Sequence, residues 1–464
     1  MIQMNRNQLM QLFPQFKAEQ DFSFSGVAID SRKIEKGNIF VAIKGDNFDG
    51  HDYLNDLSKK GVVAIVVDRI VNSNLPQIVV QDTREALALL ANYWRKVINP
   101  IIIAITGSNG KTTVKEMLGQ ILSSQQKTLI TQGNFNNDIG VPLTFFRLTE
   151  YDKYAVIEMG ANHAMEIQYL MSIAQPDVVY VNNAHSAHVE GFGSLQGIVE
   201  AKGEMYQYAA TKALAVINDD EAAAGYWKSI CAPENQLSFS MQHESAISGD
   251  FQLTSSGMTL NVKYKKEVAS CQLPLLGAHN AQNALAAVSL AVACKVSLQQ
   301  ACDDLQGFNG VAGRQQFLSG INDSRLIDDS YNANPDSLAA AVDVLCALDG
   351  EHWLALGDMA ELGERSEELH IKAVKHAQQK GINQFFALGN MSCRSAEVFG
   401  AQGFCFSQHE EMAGFIAQRL KSGVNLLIKG SRSAGMDKLV KALSKETSPH
   451  QTVAENTAGE CHAL

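Results

Sequence analysis

The sequence lacks an excess of positive charge, a long hydrophobic run and a framework of paired cysteines. Its 38 basic and 49 acidic residues give a net charge of −11, which argues against a nucleic-acid or anionic-membrane partner. No stretch approaches the ~18 apolar residues of a membrane helix, and the first residues, MIQMNRNQLMQLF, lack the apolar core of a signal peptide. The eight cysteines contain no C-x-x-C pair, which is typical of structural thiols in a reducing interior. We therefore expect a cytoplasmic protein without a membrane span.

The length and the alternation of apolar runs predict an α/β protein of three domains. At 464 residues the chain is too long for one ordinary core. Residues 1–82 carry strand-like runs such as NIFVAI and VVAIVV, which predict a small α/β domain. Residues 83–312 alternate apolar strands with helices, the pattern of a doubly wound, mostly parallel sheet of the P-loop ATPase type. In residues 313–464 the alternation restarts, which predicts a Rossmann-like domain and a disordered polar tail from about residue 448.

A glycine-rich stretch, TGSNGKTT at residues 106–113, lies between the apolar run PIIIAI and the helical pattern VKEMLGQIL. Glycines at such a strand-to-helix turn let backbone N–H groups close around a phosphate, and the helix dipole adds partial positive charge. Lys111 would reach the β- and γ-phosphates of a nucleotide, and Thr112 would offer its hydroxyl to Mg²⁺. The usual spacing G-x-x-x-x-G-K-[ST] requires glycine at the position where this chain has Ile105. The stretch therefore predicts a phosphate-binding loop of a shorter form.

Four other places suit a site but also have a purely structural interpretation. Glu158 closes the strand-like run YAVIE, where a carboxylate can hold Mg²⁺ or cap a turn. His188 follows another strand end, and with His185 it suggests a zinc pair, although no further Cys or His stands at ligand spacing. Lys202 by itself is typical of a solvated helix residue. The stretch GNFNNDIG, residues 133–140, is either a polar turn or a hydrogen-bonding surface for a substrate. Its candidate side chains are Asn134, Asn136 and Asn137.

Taken together, these stretches resemble the Mur ligases, the ATP-dependent amino-acid ligases of peptidoglycan synthesis. The shorter loop TG-x-x-GKT is that family's own form. The resemblance runs in order over nearly the whole chain, through DSRKIEKGNIFVAIKGDNFDGHDY, TGSNGKTTVKEM, GNFNNDIGVPLT, VIEMGANH, HVEGFGS, AKGE, LLGAHNAQNALAA, AGR, DDSYNANPDS, LGDMAELG and IKGSRS. The combination of VKEM, NNDIGVPLT, DDSYNANP, GDMAELG and KGSRS is most similar to the branch that adds D-alanyl-D-alanine to UDP-N-acetylmuramoyl-tripeptide. The Asn-Pro-Arg element of the sister branch, which adds the third residue, is missing.

The resemblance implies a set of site residues in each domain. The N-terminal domain would hold the uridine nucleotide through Ser31, Arg32, Lys44, Asn47 and Asp49. The central domain would bind ATP through Gly107, Ser108, Asn109, Gly110, Lys111, Thr112 and Thr113, with Asn280 and Asn283 by the adenine. The C-terminal domain would add Arg314 near the phosphates, Asp329 near the ribose or the incoming dipeptide, and Tyr331, Asn332 and Asn334 as further lining.

The resemblance also changes the interpretation of the metal-site candidates. In the family, the lysine that Lys202 matches is carbamylated, so a cation becomes a carboxylate that can bind or orient Mg²⁺. A bare ammonium beside two divalent ions would be strongly repelled. Thr112, Glu158 and His188 would then be the other ligands of two Mg²⁺, whereas His185 matches no metal position. The implied catalytic residues are Lys111, Lys202, His188 and Arg314.

The resemblance implies a reaction through an acyl phosphate. The tripeptide carboxylate would attack the γ-phosphate of ATP, and the amine of D-alanyl-D-alanine would then displace phosphate. Because Lys111 and Arg314 belong to different domains, catalysis would follow domain closure, and we expect a monomer that is open without substrates. Two alternatives are another Mur-type or folylpolyglutamate synthase-like ligase, and a P-loop switch protein whose ATP state controls partner binding. The third residue of the tripeptide, meso-diaminopimelate or lysine, is left open.

Overall fold

The computed structural model describes residues 1–19, 21–45, 48–185, 189–254 and 257–445. Within these ranges the chain forms a two-stranded ribbon and sheets of four, nine and six strands. The three larger sheets lie one in each predicted segment, so the α/β class with a large central sheet is confirmed. The boundaries near residues 82 and 312 stay predictions. None of the helices in the described ranges is both long enough and apolar enough to cross a membrane.

The N-terminal sheet is parallel and has short strands. An antiparallel ribbon of β1 (Gln3–Asn5) and β2 (Ser23–Ser25) precedes β3 (Val27–Ala28), β4 (Ile39–Val41), β5 (Ala64–Val67) and β6 (Gln77–Val79), with helices α1 (Arg6–Leu12) and α2 (Thr83–Ile98). The predicted runs NIFVAI and VVAIVV contain β4 and β5, and every side chain of these two strands is buried, as in a sheet covered on both faces. Asp82 caps α2 by accepting hydrogen bonds from the N–H groups of Arg84 and Glu85.

The central sheet has the order β15-β14-β13-β12-β11-β10-β7-β9-β8 and is parallel from β8 to β13. Its strands are β7 (Ile101–Thr106), β8 (Thr128–Ile130), β9 (Tyr154–Glu158), β10 (Val178–Val181), β11 (Leu214–Asn218), β12 (Gln236–Ser240), β13 (Ile247–Thr254), β14 (Gly257–Tyr264) and β15 (Glu267–Leu273). Its helices are α3 (Lys111–Gln125), α4 (Gly140–Phe145), α5 (Glu166–Ala174), α6 (Val189–Phe192), α7 (Leu195–Lys212), α8 (Ala224–Ser229), α9 (Ala278–Ala293) and α10 (Leu298–Leu305). The antiparallel strands β14 and β15 were not predicted, because exposed and buried side chains alternate in β15 instead of forming an apolar run.

Strand β7 and helix α3 place the phosphate loop within the parallel part of this sheet, at the third strand from the β8 edge. The chain passes from β7 to β8 and β9 on one side and then crosses to β10 on the other. The direction of winding therefore reverses at the carboxyl end of β7, where open α/β sheets bind ligands. The helix packs through the face that its spacing predicted, since five apolar side chains are fully buried. They are Val114, Met117, Leu118, Ile121 and Leu122.

The C-terminal sheet has the order β16-β17-β21-β18-β19-β20, and β16 is its antiparallel strand. Its strands are β16 (Gln316–Ser319), β17 (Arg325–Asp329), β18 (Glu351–Gly357), β19 (Gln384–Leu388), β20 (Gly403–Phe406) and β21 (Val424–Lys429). Its helices are α11 (Pro335–Cys346), α12 (Ser366–Lys380), α13 (Asn390–Phe399), α14 (His409–Ala417) and α15 (Asp437–Leu443). The last strand, β21, lies between β17 and β18 and is buried along its whole length. This sheet therefore has the predicted Rossmann-like winding.

Two of the cysteines are joined, so the prediction of thiols throughout is wrong for this pair. Cys393 of α13 and Cys405 of β20 form a disulfide, with their Cα atoms 5.0 Å apart. Helix α13 packs against β20 and brings the two together across 12 residues, a spacing that carries no sequence signal. The cysteines that stay free thiols are Cys231, Cys271, Cys294, Cys302 and Cys346, whereas Cys461 lies outside the described residues.

Candidate active site

A cleft of about 1400 Å³ lies between the carboxyl ends of the central and C-terminal sheets. Residues that follow β7, β9, β10 and β11 line one wall, and residues at the ends of β17 and β21 line the other. The strands of both sheets therefore direct their carboxyl ends at the same space. Since the winding of the central sheet reverses at β7, this cleft is where a nucleotide is expected.

The phosphate loop, residues 107–113, is held by two asparagines that directly follow the neighbouring strand β10. The Asn109 N–H donates to Oδ1 of Asn183 at 2.8 Å, and the Asn109 carbonyl accepts from the side chains of Asn182 and Asn183 at 2.7 and 3.2 Å. Gly110 has a φ of +75°, and a Cβ there would lie 2.4 Å from Nδ2 of Asn182. Only glycine satisfies both conditions. The sequence analysis missed Asn182 and Asn183, although two asparagines directly after a buried strand are a usable signal.

Lys111, the first residue of α3, turns its side chain back over the loop. Its ammonium donates to the carbonyl oxygens of Gly107 and Ser108 at 2.5 and 3.4 Å. Burial lowers the pKa of Lys111, the Glu158 carboxylate acts to raise it, and the Arg314 charge lowers it further. The lysine charge therefore lies at the loop itself, where a bound phosphate would stabilise it.

Glu158 brings three predicted residues together at the end of β9. Its carboxylate is 3% exposed and accepts hydrogen bonds from Oγ1 of Thr112 at 3.0 Å and Nδ2 of Asn136 at 2.9 Å. Carboxylate and hydroxyl oxygens are the hard ligands that Mg²⁺ prefers, so this pair fits the predicted metal. Among the described residues, no group of three or more His, Cys, Asp or Glu could hold a metal ion. The predicted ligand His188 lies outside the described residues.

Lys202 is buried in α7, with 2% of its surface exposed, so it is not a solvated helix residue. Burial, and then the charge of Lys111, lower the pKa of Lys202 to about 7. The Phe192 ring lies 5.7 Å from its Nζ atom. In the described part of the chain no carboxylate forms an ion pair with Lys202. A buried amine without a counter-charge favours its neutral form.

The C-terminal wall contacts the phosphate loop directly. The guanidinium of Arg314 lies 4.1 Å from the centre of the Tyr331 ring, and it donates to Oγ1 of Thr112 at 3.4 Å. Nδ2 of Asn334 donates to Oδ1 of Asn109 at 2.8 Å. The two walls of the cleft therefore touch through these side chains, and the open form expected without substrates stays a prediction.

Two basic residues that the sequence analysis did not select complete this wall. Nζ of Lys429 donates to Oδ2 of Asp329 at 2.6 Å and to the carbonyl of Asn332 at 3.0 Å. Arg432 lines the cleft, and its guanidinium lies 5.7 Å from the centre of the Tyr331 ring. Both belong to the motif KGSRS, and their place just at and beyond the end of a buried strand was the signal that could have identified them.

The predicted adenine residues lie at the start of α9 on the cleft wall. Asn280 and Asn283 are buried, and both already have partners within the protein. Oδ1 of Asn283 accepts from Asn182 at 3.1 Å, and Nδ2 of Asn280 donates to the carbonyl of Leu276 at 2.9 Å. Their role beside the adenine stays a prediction.

The residues predicted to hold uridine do not line this cleft, as far as the structure describes them. Those described are Ser31, Arg32, Lys44 and Asp49, whereas Asn47 lies outside the described residues. Arg32 pairs with Asp30 at 2.9 Å. Although burial acts to raise the pKa of Asp49, hydrogen bonds from His51 and Arg69 lower it to about 2. The described members of this set therefore form a surface that is separate from the phosphate loop.

Arg84, also missed by the sequence analysis, connects that surface with the cleft. Its guanidinium donates to Oδ2 of Asp138 at 2.6 Å and to the carbonyl of Lys44 at 3.3 Å. Asn134 and Asn137 line the cleft on the same side. The asparagine-rich stretch is therefore a wall of the cleft and is tied to the uridine side by one arginine.

Three segments of the chain match models of one protein family. Residues 23–95 match the Mur ligase family, catalytic domain; residues 105–291 match the Mur ligase middle domain; and residues 313–432 match the Mur ligase, glutamate ligase domain. The order of the three matches is the order of the three larger sheets.

Curated relatives and solved structures match nearly the full length. The chain is 39% identical to the UDP-N-acetylmuramoyl-tripeptide--D-alanyl-D-alanine ligase of Escherichia coli, over 92% of this chain and 95% of the relative. It is 38% identical to the protein of the same name from Haemophilus influenzae, over 96% and 99%. A crystal structure of MurF from Acinetobacter baumannii is similar with a TM-score of 0.88 and 33% identity, covering 95% and 98% of the two chains. MurF ligase from Thermotoga maritima in complex with ADP is similar with a TM-score of 0.79 and 25% identity, covering 90% and 96%.

Proposed function

The chain belongs to the Mur ligase family and is an ATP-dependent ligase, and from this premise we propose that its cleft joins D-alanyl-D-alanine to UDP-N-acetylmuramoyl-tripeptide. The reaction makes a peptidoglycan precursor in the cytoplasm and forms ADP and phosphate. The observation that supports this function most is the contact of Arg314 with Thr112 across the cleft, because it joins a C-terminal cation to the phosphate loop.

The first step is transfer of a phosphoryl group. The terminal carboxylate of the tripeptide attacks the γ-phosphorus of ATP, the bond to the β-phosphate oxygen breaks, and ADP leaves. Lys111, Arg314 and the N–H groups of the loop neutralise the charge on the phosphoryl oxygens. The protein thus contributes position and charge, and no side chain acts as a nucleophile.

The second step forms the peptide bond. The amine of D-alanyl-D-alanine attacks the acyl carbon and loses one proton, and inorganic phosphate leaves from the tetrahedral intermediate. Both reactants must be held on one side of the phosphate loop while water is excluded. The contacts of Asn334 with Asn109 and of Arg314 with Thr112 keep the walls together and support this role.

Mg²⁺ fits the cleft at Glu158 and Thr112, and we assign His188 and carbamylated Lys202 as its further ligands. When bound, two such ions neutralise phosphate charge and orient the oxygens for transfer. Asn136 holds the Glu158 carboxylate in place by donating to Oε1. The carbamate forms when the neutral Lys202 amine adds to CO₂ and releases a proton. Burial beside Lys111 supports this reaction, because it disfavours the ammonium form.

The test supplies ATP, D-alanyl-D-alanine and two UDP-N-acetylmuramoyl-tripeptides, one ending in meso-diaminopimelate and one in lysine. We expect mass spectrometry to detect the pentapeptide product and one ADP per new peptide bond. The preferred tripeptide identifies the third residue. Ligation of glutamate to a folate would support the rival ligase. ATP hydrolysis that neither substrate changes would support a switch protein.

A further inference from the structure

We propose that Arg432 binds the free carboxylate of the incoming dipeptide, so that the enzyme selects an acceptor with a C-terminal acid. This inference rests on the proposed function, since it names the residue that would bind one end of the dipeptide substrate. It names a specificity residue for that reaction.

The first observation is that Arg432 is a cation of the cleft that has no acidic partner among the described residues. Five other described lysines and arginines line the cleft, and each has a partner or a proposed role. They are Arg84 with Asp138, Lys111 with the loop carbonyls, Arg314 with Thr112, Lys429 with Asp329, and Lys202 as the carbamate. The Arg432 side chain is exposed to the cleft, and no carboxylate within the described ranges pairs with it. An anion can therefore approach it without displacing an ion pair.

The second observation is the position of Arg432 relative to the reacting phosphate. The guanidinium carbons of Arg314 and Arg432 lie 4.1 and 5.7 Å from the centre of one Tyr331 ring. The two carbons are therefore within about 10 Å of each other, and an extended dipeptide spans about 7 Å. A dipeptide whose amine faces the acyl phosphate near Arg314 thus reaches Arg432 with its other end.

The third observation is that the backbone carrying Arg432 is fixed. The N–H and hydroxyl of Ser431 both donate to the carbonyl of Asp358, at 3.0 and 2.6 Å. Oδ1 of Asp358 accepts from the N–H of Ser392 at 2.7 Å, which ties this segment to the start of α13. An arginine on a fixed backbone, with its charge beside an aromatic ring, loses less conformational entropy on binding.

The chemistry of the acceptor explains why its carboxylate is the group to be held. The amine must be neutral to attack, so the carboxylate is the permanent charge of the dipeptide in the reacting state. The planar guanidinium matches a carboxylate with two parallel hydrogen bonds. Binding at this end leaves the amine unhindered.

The experiment compares D-alanyl-D-alanine with D-alanyl-D-alaninamide, which lacks the carboxylate, in the full-length enzyme. For the wild type we expect kcat/KM to be about 10- to 100-fold lower with the amide, the range of a charge-assisted hydrogen bond. Arg432→Ala should lower kcat/KM for the acid by the same factor, mainly through KM for the dipeptide, and leave the amide unchanged. The KM values for ATP and the tripeptide nucleotide should stay as they are. Arg432→Lys should be intermediate, because it keeps the charge and loses the planar fork.

Arg325→Ala is the matched control, because Arg325 is an exposed arginine at the opposite end of β17. It should behave as the wild type with both acceptors. Equal losses with acid and amide in Arg432→Ala, or a raised KM for ATP, would overturn the proposal. Equal use of both acceptors by the wild type would overturn it without any variant, so misfolding cannot hide the answer. Failure of the proposed function is a different result, because the wild type would then make no product with D-alanyl-D-alanine.

Discussion

Two regions of this chain differ in how deeply their site residues are buried. One is the phosphate wall, which comprises the loop 107–113 with Glu158 and Lys202, and the other is the uridine side with Arg32, Lys44 and Asp49. Glu158 and Lys202 are 3% and 2% exposed, whereas the side chain of Arg32 is 73% exposed and Lys44 lies at the surface. Folding of the core therefore fixes the positions of the side chains in the phosphate wall, since the side chains proposed for catalysis are themselves packed in the interior. The uridine side is an ordinary surface whose charges pair with each other. Substitutions should consequently affect turnover, ATP binding or stability on the first side, and only the affinity for the tripeptide nucleotide on the second.

The largest effect should come from Lys111→Ala. It removes the charge at the β- and γ-phosphates, and we expect turnover to fall by about 10³-fold or more. The fold should be intact, because within the described part of the chain the Lys111 ammonium donates hydrogen bonds only to loop carbonyls. ADP release and a circular dichroism spectrum measure the two quantities. Lys153→Ala, an exposed lysine just before β9, is the control; rapid ADP release by Lys111→Ala would argue against the phosphate loop.

Lys202→Ala should have the next largest effect and extends the comparison to the metal. It removes a buried carboxylate if the lysine is carbamylated, so phosphoryl transfer and Mg²⁺ binding should fall together, by about 10²-fold in rate. Added acetate or formate should restore part of the activity by occupying the space left. Rates are measured at limiting Mg²⁺ with and without the added acid. Wild-type rates in Lys202→Ala at limiting Mg²⁺ would contradict the metal role and leave Lys202 with a packing role.

Gly110→Ala tests whether the phosphate wall depends on its backbone. A Cβ at this φ of +75° would meet Asn182 and Asn283, so we expect the free energy of unfolding to fall by about 1–3 kcal/mol and KM for ATP to rise. Gly307→Ala is the control: its φ is +81°, and its Cβ would meet nothing within 4 Å. The difference between the two variants in urea unfolding isolates the clash. Equal free energies of unfolding for the two variants would mean that Asn182 and Asn283 move aside without a loss of stability.

The smallest effect should come from Arg32→Ala on the uridine side. An exposed cation contributes about one charge-assisted hydrogen bond, so KM for the tripeptide nucleotide should rise about tenfold. Turnover and KM for ATP should not change. Steady-state kinetics with each substrate varied in turn separates these values, and Lys33→Ala is the neighbouring control. A fall in turnover at an unchanged KM would break the comparison, since an exposed residue would then act on the chemistry.

Parts of the fold followed from the sequence where burial is continuous. The apolar run before the loop and the helical spacing after it predicted β7 and α3, because both are buried against the core. Strands β14 and β15 were missed, since the strand predictions relied on continuous apolar runs, whereas buried and more exposed side chains alternate in these two strands. The Cys393–Cys405 disulfide was missed because contact between a helix and the following strand leaves no mark in spacing.

The site was predictable where a residue acts through its own type and position. Lys111 and Thr112 were selected because a lysine and a hydroxyl follow the glycines of the loop. Glu158 was selected because it is a carboxylate at a strand end. The structure brings all three together. Asn182 and Lys429 act through partners distant in the chain, namely Asn109 and Asp329. Such pairings depend on the three-dimensional arrangement of strands, which single-sequence patterns do not contain.

The place of β21 has a consequence for synthesis on the ribosome. Chains emerge from their N-terminus, and domains fold as they become complete. Because β21 lies between β17 and β18, the C-terminal sheet has a gap at its centre until Val424–Lys429 has emerged. Asp329 stays without Lys429 for the same time. A nascent chain can therefore contain a folded phosphate loop before the C-terminal wall of the cleft has formed. A product truncated before Val424 would keep the nucleotide-binding domain but would not catalyse ligation.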